Sequence, residues 1–427
     1  MNSKIQNDIT ELVEKQVISN EVATNIENYY NSKKVDTPNR LFTVFAVLGS
    51  TLVGLGIILI LAHNWDNFSR PIKTIFAFTP LIIGQFFVGY SILKKKNTTW
   101  KEASGVFLFF AVGASISLVS QIYNIPGNFS SYMLTWILLC APLIYLLKSN
   151  ALAILHIVFA TNYACFFGYF DGNDTPWLYL LLLAILIPHY YQLLKEKKTH
   201  NITSIFNWLL PLSIIIVLGA FANNGGEFGF LMYVILFGLL YNIGKLPFFD
   251  NQKLRRNGYL VLGSLGTIYM LMLTSFEWLW KDILRHNIEF NSQEFYVSLV
   301  LFLVTLGVLI YSYSKKWAQS FNLFQYVFIL FTAIFFIGIS GSIFPMVLIN
   351  LIILILGIIA IKIGADKFHF GILNYGLLII TTLIVCRFFD TNMSFVIRGL
   401  LFVSVGVGFF LTNYMMLKKQ KSNAIKK

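Results

Sequence analysis

Residues 343–362 have the sequence IFPMVLINLIILILGIIAIK, in which the final Lys362 is the only charged residue. Because a helix rises about 1.5 Å per residue, roughly 20 apolar residues cross the ~30 Å hydrocarbon core of a bilayer. A segment exposed to lipid must also satisfy its own backbone hydrogen bonds, which a helix does within itself. The stretch is therefore predicted to be a transmembrane helix.

Thirteen further stretches have similar length and composition, and none shows the residue-by-residue alternation that β-barrel strands require. Together they predict an all-α fold, a polytopic integral membrane helical bundle with about 14 transmembrane helices. The other predicted spans are approximately residues 41–62, 74–93, 104–123, 131–147, 151–170, 177–194, 203–222, 229–248, 258–275, 295–314, 321–339, 370–388 and 395–414.

Composition supports a membrane location for most of the chain. Of 427 residues, 57% are hydrophobic and 12% are charged, about half the ~25% charged residues of soluble domains. Mean hydropathy is +0.70. This composition excludes a soluble or disordered protein and disfavours a large soluble catalytic domain. The predicted domains are a cytoplasmic helical arm at residues 1–40, a transmembrane bundle at 41–414 and a basic cytoplasmic tail at 415–427.

The distribution of lysine and arginine predicts the orientation. Twenty-six of these residues fall on one side of the predicted bundle, and six fall on the other. Since short cytoplasmic loops retain positive charge, both termini are expected in the cytoplasm, with the bundle in the bacterial inner membrane. Topology and anionic lipids on the cytoplasmic side then account for the net charge of +13, and no nucleic-acid partner is expected. The six outer-side cations are Arg70, Lys73, Lys281, Arg285, Arg387 and Arg398.

The chemistry that the sequence lacks is informative. All 19 acidic residues fall in the arm, the loops or the span ends, which disfavours proton relays built on buried carboxylates. Three cysteines occur singly within predicted spans, and the chain contains no GxxxxGK[ST], HExxH or GxSxG motif. We therefore predict no catalytic residue, no metal site and no cofactor, and the sequence favours a non-enzymatic role.

Nine neutral polar side chains lie within predicted spans, and each needs a hydrogen-bond partner in lipid. Bonds between helices are the ordinary explanation, and contact with a substrate is the alternative. Three of the nine, Gln121, Asn162 and Asn350, are candidate substrate-binding residues. The other six are Gln85, His156, Asn207, Asn242, Gln325 and Asn374.

Two polar turns are predicted on the outer side of the membrane. The first is HNWDNFSRP at 63–71, after span one, and the second is SQIYNIPG at 120–127, after span three. Structural capping of helices and a shared site for a polar or phosphate-bearing headgroup are the two interpretations. With the outer-side Arg398, the candidate substrate-binding residues from these turns are His63, Asn64, Trp65, Asp66, Arg70, Gln121 and Tyr123.

The arm is predicted to contain two short helices. Ile5, Ile9 and Leu12 share a face of the first helix, and Ser19 is the expected N-terminal cap of the second. The amphipathic arm is expected to dock on its own bundle or lie at the lipid surface. The alternative is a hairpin that binds a protein partner.

Several of these segments occur in an order that resembles a known family. VISNEVATNIENYY at 17–30, LGSTLVGLGIILILAHNWD at 48–66 and GASISLVSQIYNIPG at 113–127 are similar to the bacterial predicted-membrane-protein family called domain of unknown function 2157. The resemblance covers roughly residues 10–150, and IRGLLFVSVGVGFFLTN at 397–413 is similar to the last span of longer members. It implies membership and a membrane fold, and it carries no established activity.

Three functions remain open. The first is transporter- or flippase-like handling of a small polar or lipid-linked molecule, without a buried acidic coupling residue. The second is a membrane-embedded transferase in which the outer-side Asp66 acts as the base. The third is a membrane sensor or scaffold with a partner-binding N-terminal arm.

Overall fold

The computed structural model describes residues 3–32, 65–170, 175–222, 227–249, 252–283, 290–315, 322–339, 344–390 and 395–425. Within these ranges all regular secondary structure is helical, as predicted for an all-α bundle. The chain divides into two compact units, Met1–Phe76 and Ala77–Lys427. The predicted first span, residues 41–62, lies outside the described ranges.

The first unit begins with the two short helices predicted for the arm. The hydroxyl of Ser19 accepts a hydrogen bond at 3.3 Å from the backbone N–H three residues further on, as expected of an N-terminal cap. Ile9 and Ala23 are buried where the two helices pack together. The helix bounds are α1 Ser3–Glu14 and α2 Asn20–Ser32.

Helix α3, Arg70–Leu93, continues from the first unit into the second. Asparagine or serine caps begin several of the helices that follow, by accepting a hydrogen bond from a first-turn N–H. The remaining helices are α4 Thr98–Tyr123, α5 Phe129–Leu147, α6 Asn150–Cys165, α7 Leu178–Glu196, α8 Asn201–Leu218, α9 Glu227–Ile243, α10 Gly258–Thr274, α11 Glu277–Ile283, α12 Gln293–Ser314, α13 Val327–Ile339, α14 Phe344–Asp366, α15 Phe370–Asp390 and α16 Phe395–Ile425.

Nine helices of the described ranges are long and apolar enough to cross a bilayer, namely α3–α8, α12, α14 and α15. Three shorter apolar helices, α9, α10 and α13, have 17, 17 and 13 residues. Helix α9 packs against α10, α12 and α13, and most of its side chains are buried. The chain is thus an all-α polytopic membrane protein, and the total of fourteen spans stays a prediction.

Several helix ends differ from the predicted spans, among them those of α9, α13 and α16. Helix α9 ends at Ile243 instead of 248, and α16 continues to Ile425, past the predicted end of the bundle at 414. Helix α13 begins at Val327 instead of 321, because the preceding residues form a 3₁₀ turn. In that turn the side chain of Gln325 accepts a hydrogen bond from the N–H of Asn322 at 3.3 Å.

The segment between the predicted spans 258–275 and 295–314 contains Trp278 and Trp280, which predict an interfacial helix with aromatic anchors. Helix α11 lies in this segment. Trp278 is exposed, as an anchor would be. Trp280 is instead buried, and its Nε1 donates a hydrogen bond to the carbonyl of Thr274 at 2.8 Å. Its ring occupies the space that the absent side chain of Gly338 leaves. Trp280 is therefore a core residue, and interfacial anchoring by Trp278 stays a prediction.

Candidate functional site

Helices α3, α4 and α5 form a groove with a volume of about 1330 Å³. Typical small-molecule pockets are smaller, at about 300–1,000 Å³. On α5 the lining extends from Asn128 to Leu146, which corresponds to about 27 Å at the helical rise. The groove is therefore nearly as long as the ~30 Å hydrocarbon core is thick.

The lining changes from polar to apolar along the groove. Residues spaced three or four apart on α5 share one face, and this face is polar in its first two turns and apolar beyond them. Helix α4 adds Ser117, Ser120 and Gln121 at the polar end and Leu108 nearer the other end. No charged side chain lines the groove in the described part of the chain. The α5 face consists of Asn128, Ser131, Thr135, Leu139, Leu143 and Leu146.

Aromatic packing fixes α4 against α5 beneath the groove. The indole Nε1 of Trp136 donates a hydrogen bond to the carbonyl of Phe109 at 2.7 Å. The Trp136 ring also packs on Phe159, with 4.6 Å between ring centroids. One turn earlier, the hydroxyl of Tyr132 donates to the carbonyl of Gly113 at 3.0 Å. The wall is therefore held by Trp136, which does not line the groove, and by Tyr132, which does.

Hydrogen bonding separates the nine polar side chains of the predicted spans into two groups. Seven have partners, and most of these partners are main-chain carbonyls. The other two, Gln85 and Gln121, have no hydrogen-bond partner in the ranges that the structure describes, and both line the groove. The partnered residues are His156, Asn162, Asn207, Asn242, Gln325, Asn350 and Asn374.

Two other candidates in the second unit lie away from the groove. Tyr123 is exposed at the end of α4, where Asn124 ends the helix with a φ of 49°. Asn162 is exposed, and its amide donates to the carbonyl of Val158 on its own helix at 2.9 Å. Neither residue meets Gln121 in a common site.

The candidate Asn350 lies in a separate polar cluster between α10, α14 and α15. Its Nδ2 donates to the carbonyl of Ser275 at 3.3 Å and to that of Met346 at 2.7 Å. The guanidinium of Arg387 donates to the hydroxyl of Ser275 at 3.1 Å and stacks 4.6 Å from the Phe276 ring centroid. Asn350 thus joins helices, and it is not part of the groove.

The candidates of the first polar turn belong to the first unit. Trp65 and Asp66 lie in a 3₁₀ turn, and the Lys73 ammonium lies 5.5 Å from the Trp65 ring centroid. Arg70 begins α3, and its carbonyl accepts a hydrogen bond from Thr74 at 3.0 Å. A shared outer site with the second turn stays a prediction. His63, Asn64 and the side chain of Arg398 lie outside the described residues.

Sequence reasoning missed a polar cluster at the opposite end of α4. The carboxylate of Glu102 accepts hydrogen bonds from the N–H groups of Asn150 and Ala151 at 2.9 and 3.0 Å, and from the hydroxyl of Ser149. His189 Nε2 lies 3.2 Å from the side-chain oxygen of Asn150. This contact joins residues nearly fifty positions apart, so the sequence does not predict it. The sequence indicates only that Ser149, before an apolar run, could cap a helix.

Fold and groove together define a polytopic α-helical membrane protein with a long, uncharged and amphipathic groove. A family model described as a predicted membrane protein (DUF2157) matches residues 10–153. The matched stretch is about a third of the chain, coincides with the segments whose motifs resemble this family, and contains every described residue that lines the groove. No curated protein and no solved structure matches the chain.

Proposed function

We propose that this protein binds an amphipathic lipid in the groove and holds it or moves it passively between leaflets. An uncharged, hydrogen-bonding part of the headgroup lies at Gln121, and a hydrocarbon chain lies along Leu139 to Leu146. The protein acts in the bacterial inner membrane with both termini in the cytoplasm. The main supporting observation is that the two amides without a hydrogen-bond partner in the described ranges share one groove, and that the lining of this groove changes from polar to apolar.

The physical argument concerns the cost of an amide in lipid. Both glutamine side chains are exposed in the groove. An amide that faces hydrocarbon without a hydrogen bond costs several kcal/mol, because the hydrocarbon core offers no water to supply one. A ligand with hydroxyl, carbonyl or ester oxygens gives Gln121, and at greater depth Gln85, the partners that they lack. Because the described lining holds no acid, the groove has no evident group for proton coupling, which favours passive movement.

Photo-crosslinking tests the binding mode. The protein in maltoside detergent receives a trace of phospholipid with a diazirine on its acyl chain, and adducts are mapped by peptide mass spectrometry. We expect adducts on α5 between Leu139 and Leu146 in clear excess over α12, where Val300 and Leu303 are equally exposed apolar side chains. Equal labelling of α5 and α12 would contradict a lipid site in the groove.

Two variants test the amides. One hydrogen bond contributes about 0.5–1.5 kcal/mol, so we expect Gln121→Leu and Gln85→Leu each to lower the groove adduct yield about two- to tenfold. Asn162→Leu is the matched control, because it removes a span amide outside the groove. Unchanged yield in both glutamine variants would show that the amides do not bind the lipid.

Movement needs a second assay. Vesicles that contain the protein and a headgroup-labelled fluorescent lipid report exchange between leaflets when a membrane-impermeant quencher is added. If the protein moves the lipid, we expect faster exchange than in empty vesicles and a slower rate in Gln121→Leu than in Asn162→Leu. Binding without faster exchange would limit the function to holding the lipid.

A further inference from the structure

Two adjoining cavities lie in the second half of the chain, outside the stretch that the family model matches. The larger, here called the basic cavity, has a volume of about 820 Å³, and the smaller, the apolar cavity, about 340 Å³. Lys245, Lys367 and His369 line both of them. The cavities are therefore continuous at a group of cationic and titratable side chains.

The basic cavity is lined by several cationic side chains. Lys253 and Arg255 join Lys245 and Lys367 in its lining, and no acidic residue lines either cavity in the described ranges. Nor does any of these four cations form a salt bridge in the part of the chain that the structure describes. Burial, and secondly the charge of Lys367, lowers the pKa of Lys245. An anion placed between these cations would relieve their repulsion.

The N-terminus of α15 lies at the same place. His369 precedes this helix of 21 residues, and its Nδ1 accepts a hydrogen bond from the N–H of Ile372 at 3.3 Å. Gly371, in the first turn, lines the apolar cavity. First-turn N–H groups and the positive end of the helix dipole favour a bound anion.

The apolar cavity extends from this point between α10 and α14. Val261 and Leu265 line it on α10, and Ile363 lines it on α14. Its internal hydroxyl groups already have partners, since Ser264 donates to the hydroxyl of Tyr375 at 2.9 Å. This cavity suits a hydrocarbon chain that continues from an anionic group.

From this arrangement we propose that the basic cavity is a binding site for a phosphate group, held between Lys245 and Lys367. The phosphate belongs to a soluble phosphate compound or to an anionic phospholipid with a chain in the apolar cavity. The site is independent of the proposed lipid groove, because no residue is common to the two linings.

Lysine footprinting of the wild-type protein tests the site. The protein in maltoside detergent, which carries no phosphate, is labelled with an amine-reactive ester, and the rate at each lysine is measured by mass spectrometry. At a free ligand concentration ten times Kd, about one site in eleven is empty, so labelling of Lys245 should slow about tenfold. Lys315 is the matched control. Its ammonium lies 5.9 Å from the ring centroid of Tyr311, and the ammonium of Lys245 lies 5.8 Å from the ring centroid of Tyr241.

Two ligands are tested separately, to distinguish a soluble phosphate compound from an anionic phospholipid. Protection of Lys245 by inorganic phosphate, compared with chloride at equal ionic strength, supports a soluble phosphate compound. Protection by phosphatidylglycerol in mixed micelles, and not by the corresponding diacylglycerol, supports a phospholipid. If neither ligand protects Lys245 more than Lys315, the proposal is wrong.

A variant provides a second measurement. A hydrogen bond to a charged group contributes about 1.5–3 kcal/mol. We therefore expect Lys367→Ala to lower the affinity for the ligand that protects Lys245 about ten- to hundredfold. The affinity is measured from the protection of Lys245 at increasing ligand concentration. Lys315→Ala removes the same charge elsewhere and should leave that affinity unchanged. Equal affinity in both variants would exclude Lys367 from the site and overturn the proposed arrangement.

Discussion

Gly113 lies where the indole of Trp136 crosses α4. A Cβ atom at this position would approach Trp136 Cε2 and Cζ2 to 2.3 Å, well inside any normal contact. The ring cannot easily retreat, because its Nε1 is bonded to the Phe109 carbonyl and its face packs on the Phe109 ring at 5.2 Å. The wall of the groove therefore depends on the absence of a single methyl group.

The variant Gly113→Ala should destabilise the protein by about 1–3 kcal/mol, the usual cost of overpacking. Thermal unfolding in detergent, followed by tryptophan fluorescence, measures the difference. Gly89→Ala is the control, since it lies on α3 in the same groove and a Cβ there meets no described atom within 4 Å. Equal unfolding temperatures for the two variants would show that α4 and α5 are packed less tightly than described.

The first turn of α6 has hydrogen-bond acceptors on a neighbouring helix. The first N–H groups of a helix have no partner within it, and Glu102 on α4 accepts two of them at Asn150 and Ala151. A carboxylate at this position also interacts favourably with the helix dipole. The contact therefore joins the start of α6 to the start of α4.

We expect Glu102→Ala to cost about 1–3 kcal/mol, because it leaves two first-turn donors without their acceptor. Unfolding by heat or denaturant in micelles provides the measurement, and Glu102→Gln should recover part of the loss. Glu196→Ala is the control, because that side chain is exposed and accepts a hydrogen bond from Gln192 on its own helix. A Glu102→Ala variant as stable as this control would argue against the cap.

The helices themselves could largely be predicted, because apolar length alone specifies a transmembrane helix. The start of α13 could not, since it depends on a tertiary contact in which Gln325 Nε2 donates to Asn242 Oδ1 at 3.2 Å. For the candidate site, the turn at 120–127 indicated Gln121 at the polar end of the groove. Gln85 has the same chemistry as the partnered amides, and only the neighbouring helices determine which amide is left without a partner.

In the second unit, lysine-containing turns lie together where α3 and α5 end and α4 begins. Ser91 and Ser104 lie 3.4 Å apart beside the turn that contains Lys94, and a Cβ at Gly105 would approach Leu147 to 2.8 Å. The ends of α3 and α5 and the start of α4 are therefore neighbours. The turn at 124–128, at the other end of α4, carries no charge. This separation fits the expectation that the lysine-rich end faces the cytoplasm.

Cysteine labelling tests that orientation in a background in which Cys140, Cys165 and Cys386 are replaced by alanine. Gly127→Cys should react with a membrane-impermeant maleimide in intact spheroplasts, because the turn is exposed and uncrowded. Lys94→Cys should react only in inverted membrane vesicles, because a turn rich in lysine is expected to stay on the cytoplasmic side. The opposite pattern would invert the bundle and place the polar end of the groove at the inner leaflet. A proposed headgroup at Gln121 would then belong to a cytoplasmic-leaflet lipid.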